Sequence, residues 1–206
     1  MIDAAEIERL VAYGPLAVFA LAALERSLPF IPSYVLFVAI GTLLVGSWVD
    51  LLALTLLSAA ASTLGSAPWY AAGAWLGPAR TRAWVARRGR WLFLSLERYD
   101  RLVTRFNSNA WAVVFIAQLV PTARILVALP AGVLGVSLRG YAIATFLGCA
   151  LWNGALVAIG VAVSRSDISM GALLFGFVVI VLAVEGGCWI AVRRRRARRP
   201  AVAATR

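Results

Sequence analysis

The sequence contains no histidine and no lysine, and only nine of its 206 residues are acidic. Without an imidazole the chain lacks the commonest general base and zinc ligand, which excludes rhomboid-type serine proteases, HExxH metalloproteases and histidine-dependent membrane phosphatases. The acidic residues are scattered, so no carboxylate cluster is predicted to hold magnesium, and no glycine-rich phosphate loop ends in lysine. We therefore predict a protein that is not an enzyme and that uses no cofactor or metal ion.

Charge of either sign is scarce along most of the chain. Charged residues make up 14% of the sequence, whereas 62% of it is hydrophobic and the mean hydropathy is +0.87. A soluble domain is about one quarter charged. Residues 141–164 carry no charge and residues 170–192 carry only Glu185. At about 1.5 Å per residue, either run can cross roughly 30 Å of hydrocarbon, so the composition predicts an all-α, polytopic membrane protein.

Arginine supplies the positive charge, and most of it lies in two stretches. Eight arginines fall between residues 80 and 105, and six fall between residues 193 and 199. Clusters that flank apolar runs follow the positive-inside rule, so we place both stretches, and with them the basic tail 193–206, in the cytoplasm. Anionic inner-leaflet lipids are the expected partners of these clusters, and nucleic acid is not. Helical spacing of apolar residues within the arginine-rich segment 78–108 predicts an interfacial amphipathic helix or, alternatively, a solvated loop helix.

Proline residues break the other apolar stretches into a repeated pattern. Residues 11–48 read as a hairpin that turns at Pro29 and Pro32, and residues 110–136 as a second hairpin that turns at Pro121. An apolar span follows each hairpin, at 51–76 and 141–164, and 170–192 is a final span. Counting crossings from the cytoplasmic arginines makes the hairpins re-entrant from opposite faces, and the limbs of the first are also long enough to span outright.

The two halves of the chain also resemble each other in sequence. Residues 64–69 align with residues 147–152, and Gly77 then aligns with Gly160. With an odd number of crossings between them, the halves would have inverted orientations, as in many secondary transporters. We therefore predict a single membrane domain, 1–206, made of two inverted hairpin-plus-span repeats and a C-terminal transmembrane helix.

Two charged residues lie beside the predicted helix breaks. Glu25 precedes Pro29 by four residues, and Arg124 follows Pro121 by three. A charge at bilayer depth costs about 2.5–3.5 kcal/mol, so it persists where it is paired, hydrated or functional. If the hairpin tips meet near the midplane, the planar guanidinium of Arg124 can bind a phosphate while Glu25 serves as a counter-charge that exchanges a proton. The alternative is a structural salt bridge that joins the hairpins.

Three further features complete the predicted site. Gln118 either donates to the phosphate or satisfies a carbonyl group freed by the break. Ser33 is predicted to cap the helix that restarts after Pro32. Together with Pro29, Pro32 and Pro121, Ser33 is expected to shape the cavity between the hairpins.

These motifs resemble the DedA family, bacterial relatives of the eukaryotic VTT-domain lipid scramblases, over residues 10–165. The resemblance implies movement of undecaprenyl phosphate or phospholipids across the cytoplasmic membrane, proton coupling, maintenance of the membrane potential, and resistance to envelope stress and antimicrobial peptides. It is carried by three sets of residues: Glu25-xxx-Pro29-x-Ile31-Pro32-Ser33; Gln118-xx-Pro121-xx-Arg124 with Ala131-Gly132; and Gly148-xxx-Trp152 with Gly160.

Two positions depart from the family pattern. An acidic residue is usual where Tyr34 stands, and an arginine is usual where Gln118 stands. One acid and one base are therefore missing together, which leaves Glu25 and Arg124 as an electrically balanced pair. Only Glu25 remains to titrate, so proton coupling is put in doubt, whereas phosphate recognition by Arg124 is retained.

The sequence thus predicts a transporter, flippase or scramblase of the bacterial inner membrane that moves a phosphate-headed lipid. The alternative is a membrane-organising protein that binds anionic lipid without transporting it. The sequence does not identify the lipid or the driving ion, and homo-oligomerisation is left open.

Overall fold

The computed structural model describes residues 14–28, 33–88 and 109–165, together with residues 96, 97, 100, 103, 104, 106 and 176. The chain divides into two compact units, Met1–Ser166 and Asp167–Arg206, and all the helices described below belong to the first. The predicted span 170–192 and the basic tail lie outside the described residues, apart from Gly176. So do most of the predicted amphipathic segment, Pro29 and Pro32.

The described residues are helical, and no strand occurs among them, which confirms the predicted all-α class. Two helices, Trp48–Arg87 and Leu138–Ser164, are long and apolar enough to cross a membrane. In chain order the helices are α1 (Gly14–Ser27), α2 (Ser33–Leu44), α3 (Trp48–Arg88), α4 (Ala110–Gln118), α5 (Pro121–Leu126), α6 (Ala128–Val133) and α7 (Leu138–Ser164).

Helices α1 and α2 correspond to the limbs of the first predicted hairpin. They contain 14 and 12 residues. At about 1.5 Å per residue, these described lengths are shorter than the roughly 30 Å of the hydrocarbon layer. Helix α2 begins at Ser33, the residue predicted to start it.

Helix α3 begins in a reciprocal cap and runs beyond the predicted span. The Asp50 amide donates to the Ser47 hydroxyl, and the Ser47 amide donates to the Asp50 carboxylate over 2.9 Å. The predicted end at Leu76 is followed by a kink, because Gly77 adopts a left-handed φ of 67° and Pro78 cannot donate to the preceding turn. Helical structure then continues to Arg88, so the arginine-rich segment begins as a helix.

The second hairpin breaks at the predicted proline. Helix α4 ends at Gln118, Leu119 caps it through a bond to the Ile116 carbonyl, and Pro121 starts α5. Proline is favoured at a first helical position because its missing N–H would have no partner there. The break places Gln118 and Arg124 on opposite sides of a sharp turn.

Helix α2 crosses α7 with the two backbones in direct contact. A Cβ added to Gly41 would overlap the carbonyl oxygen of Val157, and a Cβ added to Gly160 would overlap that of Val38. Glycine permits this approach, as in small-residue contacts between membrane helices.

Helix α6 crosses α3 in the same reciprocal manner. A Cβ on Gly132 would overlap the Tyr70 carbonyl oxygen, and a Cβ on Gly73 would overlap that of Leu129. In both crossings each glycine lies three residues from the residue whose carbonyl meets the partner glycine. Gly73 therefore corresponds to Gly160; Gly77, which the sequence alignment pairs with Gly160, makes no such contact.

The helices expose large apolar side chains and bury polar ones. Trp48, Trp75 and Leu43 are 79%, 76% and 75% exposed. A broad apolar surface of this kind suits a lipid solvent rather than water. The buried polar and charged residues are Glu25, Arg26, Ser58, Ser62, Ser66, Gln118, Arg124, Thr145 and Asn153.

Candidate functional site

Three charged side chains converge where α1, α2, α4 and α5 meet. Glu25, Arg26 and Arg124 are 5%, 6% and 1% exposed. Glu25 and Arg26 lie in the last turn of α1, beside the first break, and Arg124 lies one turn after the second break. The two hairpins thus bring their charges together from positions about 100 residues apart in the sequence.

Arg124 links the two hairpins through Glu25 and Ser33. Its Nη2 lies 3.9 Å from the Glu25 carboxylate oxygen Oε2, an ion pair that is too long for a hydrogen bond. Its Nη1 donates to the Ser33 hydroxyl over 3.1 Å. Ser33, predicted as a cap, therefore contacts Arg124 directly.

An aromatic ring supports the Arg124 guanidinium. The Cζ atom of Arg124 lies 5.3 Å from the centroid of Trp152 on α7. A cation over an indole face at this distance is attracted by the ring quadrupole. Trp152 belongs to the Gly148-xxx-Trp152 motif, so the structure connects that motif to the site.

Gln118 contacts a second arginine. Arg26 Nη2 donates to Gln118 Oε1 over 2.6 Å, and Gln118 Nε2 donates to the Thr145 hydroxyl over 3.4 Å. Gly148 lies behind Gln118, since a Cβ at that position would be 2.5 Å from Gln118 Cβ. Gln118 is therefore held between α1 and α7, and its predicted contact with a freed backbone carbonyl is not seen among the described residues.

The buried cluster is not electrically balanced, because Arg26 joins the predicted Glu25–Arg124 pair. It contains two guanidinium groups and one carboxylate, a formal net charge of +1. Four guanidinium nitrogens (Nε and Nη1 of Arg26, Nε and Nη2 of Arg124) have no hydrogen-bond partner among the described residues. Each unsatisfied buried polar group costs about 1–3 kcal/mol, so the cluster is costly to keep unless an anion uses these donors.

Arg26 is the site residue that sequence reasoning missed. It lies in the same apolar run as Glu25, three residues before Pro29, where the argument that placed Glu25 in the membrane applies equally. Arg26 directly follows Glu25, and adjacent residues of a helix do not face each other, so its contact with Gln118 depends on how α1 and α4 pack. The signal that could have identified Arg26 in the sequence is that it is a second charge at bilayer depth, next to Glu25, without another explanation.

A polar seam joins α3 to α7 beside the charged cluster. Asn153 Nδ2 donates to the hydroxyls of Ser58 and Ser62 over 3.4 Å and 3.3 Å, and the Tyr141 hydroxyl donates to Ser66 over 2.7 Å. Buried hydrogen bonds of this kind hold membrane helices together.

The helix beyond Gly77 carries arginines beside exposed tryptophan. Arg80 lies 5.5 Å from the ring centroid of Trp75. An open groove of about 680 Å³ is lined by Arg80, Arg87, Trp84, Leu76, Ala79 and Ala83. Arg82 pairs with Asp100 over 2.9 Å, and both side chains are about half exposed.

Comparison with known proteins agrees with the motifs. The VTT domain matches residues 31–162. Undecaprenyl phosphate transporter A of Staphylococcus aureus is 29% identical over 181 residues, which cover 84% of this chain and 87% of that protein.

Two other relatives have a different name. Alkaline phosphatase-like proteins of Lactococcus lactis subsp. cremoris and subsp. lactis are each 27% identical, over 86% and 84% of this chain and 84% and 82% of their own lengths. No solved structure matches the chain significantly. The domain match covers well over half of the residues, and it includes the second break, Arg124, the long helix α3 and nearly all of α7: the chain belongs to the VTT-domain (DedA) family of bacterial membrane proteins.

Proposed function

We propose that this protein moves a phosphate-headed lipid, such as undecaprenyl phosphate or a phospholipid, across the bacterial cytoplasmic membrane. The observation that carries the proposal is Arg124: a 99% buried guanidinium, between two helix breaks, with two nitrogens that have no hydrogen-bond partner among the described residues. A relative named for undecaprenyl phosphate transport supports the same cargo class.

Arg124 binds the phosphate in this proposal, and Glu25 competes for it. The guanidinium is a planar fork that matches two phosphate oxygens, and each charge-assisted bond is stronger than a neutral one. The Arg124–Glu25 distance of 3.9 Å marks a loose pair that an anion can replace. Gln118 orients the groups around Arg124, and the Ser33 hydroxyl accepts a hydrogen bond from one edge of the guanidinium.

Proton coupling would act through Glu25. If the lipid phosphate displaces Glu25 from Arg124, the buried carboxylate loses its counter-ion and gains from taking up a proton. One proton would then enter with each head group and leave when Arg124 is released. Because Tyr34 stands where the family usually has an acidic residue, Glu25 is the single carboxylate left to carry the proton.

The fold supports two inverted repeats with re-entrant hairpins. Helix α2 of the first half packs on α7, the long helix of the second half, and α6 of the second half packs on α3, the long helix of the first. The glycine contacts of the two crossings are equivalent, as expected if a twofold operation relates the halves. In an inverted arrangement the breaks at residues 28–32 and 119–120 approach the midplane from opposite sides. The positive-inside rule favours the cytoplasm for both arginine clusters, and in this proposal the C-terminus therefore lies inside.

Hydrolysis is a weaker candidate than transport, despite the names of two relatives. Among the described residues no three His, Cys, Asp or Glu side chains form a group that can hold a metal ion. The buried cluster contains donors and one carboxylate, which suits binding a phosphate more than activating a nucleophile against it. Release of inorganic phosphate from the same lipids measures this alternative directly.

The test uses purified protein in liposomes that contain undecaprenyl phosphate or fluorescent phospholipids. Transbilayer movement is recorded with and without a pH gradient for the wild type, Arg124→Ala and Arg82→Ala. Arg82 is the matched control, because it also pairs with a carboxylate but is exposed. We expect movement in the wild type and in Arg82→Ala, and its loss in Arg124→Ala.

The outcomes separate the candidates. If folded wild-type protein moves neither lipid faster than empty liposomes, transport is rejected. That result would favour the alternative, a membrane organiser that binds anionic lipid through its arginines. If Arg124→Ala mainly lowers thermal stability and leaves lipid movement intact, the Glu25–Arg124 pair is a structural salt bridge. Acceleration by an inward proton gradient would support coupling.

A further inference from the structure

The second buried arginine has more donors than its one contact uses. A guanidinium carries five N–H groups, and Arg26 engages Gln118 through Nη2 alone. Its Nε and Nη1 have no hydrogen-bond partner among the described residues, although the side chain is 94% buried. A bond that only fastened α1 to α4 would not require a charged group, because an amide at this position could donate to Gln118 equally well.

Gln118 fixes Arg26 so that the unused edge keeps its orientation. The amide is held by Thr145 on one side and packed against the bare backbone of Gly148 on the other. A side chain whose rotamer is fixed by its neighbours loses little entropy when it binds a ligand. Arg26 is thus preorganised in the way expected of a binding residue.

The charge of the cluster indicates what the two arginines take together. Arg26 and Arg124 supply two positive charges, and Glu25 neutralises one of them in the present arrangement. A phosphate monoester carries about −1.5 to −2 near neutral pH, whereas a phosphodiester carries one negative charge. Only the monoester neutralises both guanidiniums after Glu25 has been displaced. A diester would leave one arginine buried without a full counter-charge, which is strongly unfavourable.

We infer that Arg26 is a second phosphate-binding residue, and that with Arg124 it selects a phosphate monoester over a phosphodiester. The inference rests on the proposed function, since it takes a lipid phosphate as the cargo. It assigns different tasks to the two arginines: Arg124 binds any phosphate head group, and Arg26 binds the additional charge of the monoester. Gln118 is then a positioning residue for Arg26.

The experiment compares two lipids that differ by one methyl ester. Fluorescent phosphatidic acid is the monoester, and phosphatidylmethanol with the same acyl chains is the diester. Their rates of transbilayer movement are measured in proteoliposomes at neutral pH. For the wild type we expect the monoester to move at least about tenfold faster, the factor that corresponds to one charge-assisted hydrogen bond.

Two variants and one control test the assignment to Arg26. Arg26→Gln retains an amide opposite Gln118 and removes the charge, and we expect the ratio of monoester to diester rates to fall to near one. The double variant Arg26→Gln/Gln118→Arg returns a guanidinium to the site from α4, and we expect the preference to return with it. The exposed Arg82→Gln is the matched control for loss of an arginine and should keep the wild-type ratio.

Failure of this inference differs from failure of the proposed function. If the wild type moves both lipids at equal rates, or if folded Arg26→Gln retains the preference, Arg26 does not select the head group, although transport stands. If neither lipid moves, the proposed function itself fails. Should Arg26→Gln not fold, the double variant decides: a ratio near one in that folded variant overturns the inference.

The same vesicles also identify the source of the phosphate. Uptake of radiolabelled inorganic phosphate is measured in parallel. Uptake that depends on Arg26, with neither lipid moving, would support the monoester site and overturn a lipid as its cargo. Lipid movement without inorganic phosphate uptake supports the inference as stated.

Discussion

The guanidinium of Arg26 donates to the side-chain oxygen of Gln118 across 2.6 Å, and this bond joins residues 92 positions apart. It places a second positive charge beside the Arg124–Glu25 pair. Gln118 stands where the resemblance to DedA proteins led us to expect an arginine, and in this chain a guanidinium reaches that place from the other hairpin. Arg26 thus supplies a positive charge beside the position where the resemblance predicts one.

Gly148→Ala should disturb head-group selection without removing any polar group. The new Cβ would lie 2.5 Å from Gln118 Cβ and 2.7 Å from its Cγ, so the Gln118 side chain must move away from Arg26. We expect the monoester preference to fall by several-fold in the two-lipid assay. Gly154→Ala on the same helix is the control, because its Cβ would meet only the side chain of Thr55. Equal ratios in both variants would show that Gln118 does not position Arg26.

Glu25→Gln should abolish any response of transport to a pH gradient. The groups that face Glu25 are Arg26, Arg124 and the Ser33 hydroxyl. The Cys149 thiol lies beyond them, 3.9 Å from the side-chain oxygen of Gln118. Among the buried residues described, Glu25 is the only carboxylate of the cluster. We expect the wild-type rate to rise when protons can accompany the lipid, and the variant rate to be the same with and without the gradient. Asp50→Asn, a carboxylate at the start of α3, is the control. A variant that still follows the gradient would assign coupling to another group.

Gly41→Ala and Gly132→Ala should destabilise the protein to similar extents. Each new Cβ would overlap a backbone carbonyl oxygen of a long helix, and overpacking of this kind costs about 1–3 kcal/mol. The higher helix propensity of alanine offsets up to about 1 kcal/mol of that cost. Gly14→Ala, where no atom of the described residues would lie within 4 Å of the new Cβ, should be neutral or stabilising. Thermal unfolding in detergent measures all three, and very different losses at residues 41 and 132 would argue against equivalent repeats.

Asn153→Ala should lower stability and leave head-group selection unchanged. Asn153 donates to Ser58 and Ser62 in the polar seam between α3 and α7, and it contacts none of the buried charges in the described structure. Loss of these buried bonds is expected to cost about 1–2 kcal/mol. The melting temperature should fall, whereas the ratio of monoester to diester movement should match the wild type. A changed ratio would extend the binding site into the seam.

The charged pair could be predicted from the sequence because its physics is local. Glu25 and Arg124 stood out as charges beside proline breaks, and the inference that opposed breaks meet needed only the order of apolar runs. The reach of Arg26 to Gln118 could not be predicted, because it depends on the packing of α1 against α4. The span was predicted to end at Leu76; α3 instead continues to Arg88, because the chain kinks at Gly77-Pro78 and then resumes as a helix.

Which glycines correspond in the two halves also could not be predicted from the sequence. The alignment of the two halves suggested that Gly77 matches Gly160, since both follow a tryptophan by eight residues. The structure matches Gly73 instead, one helical turn earlier, and that assignment required the carbonyl contacts. Sequence spacing identifies which helices have small residues, and packing decides which of those residues touch.

The crossing of α2 with α7 has a consequence for how the chain assembles during synthesis. Gly41 contacts Val157, so α2 must wait for 116 more residues before its partner helix exists. At translation rates of about 5–20 residues per second, that wait is roughly 6–23 s. During this interval the glycine surface of α2 lacks its partner helix α7, whereas α1 and α3 both belong to the first half of the chain and can pack early. Assembly of the first hairpin is therefore completed last, and the charged cluster, which includes the contact of Arg124 with Ser33 at the start of α2, forms only when the second half of the chain has been made.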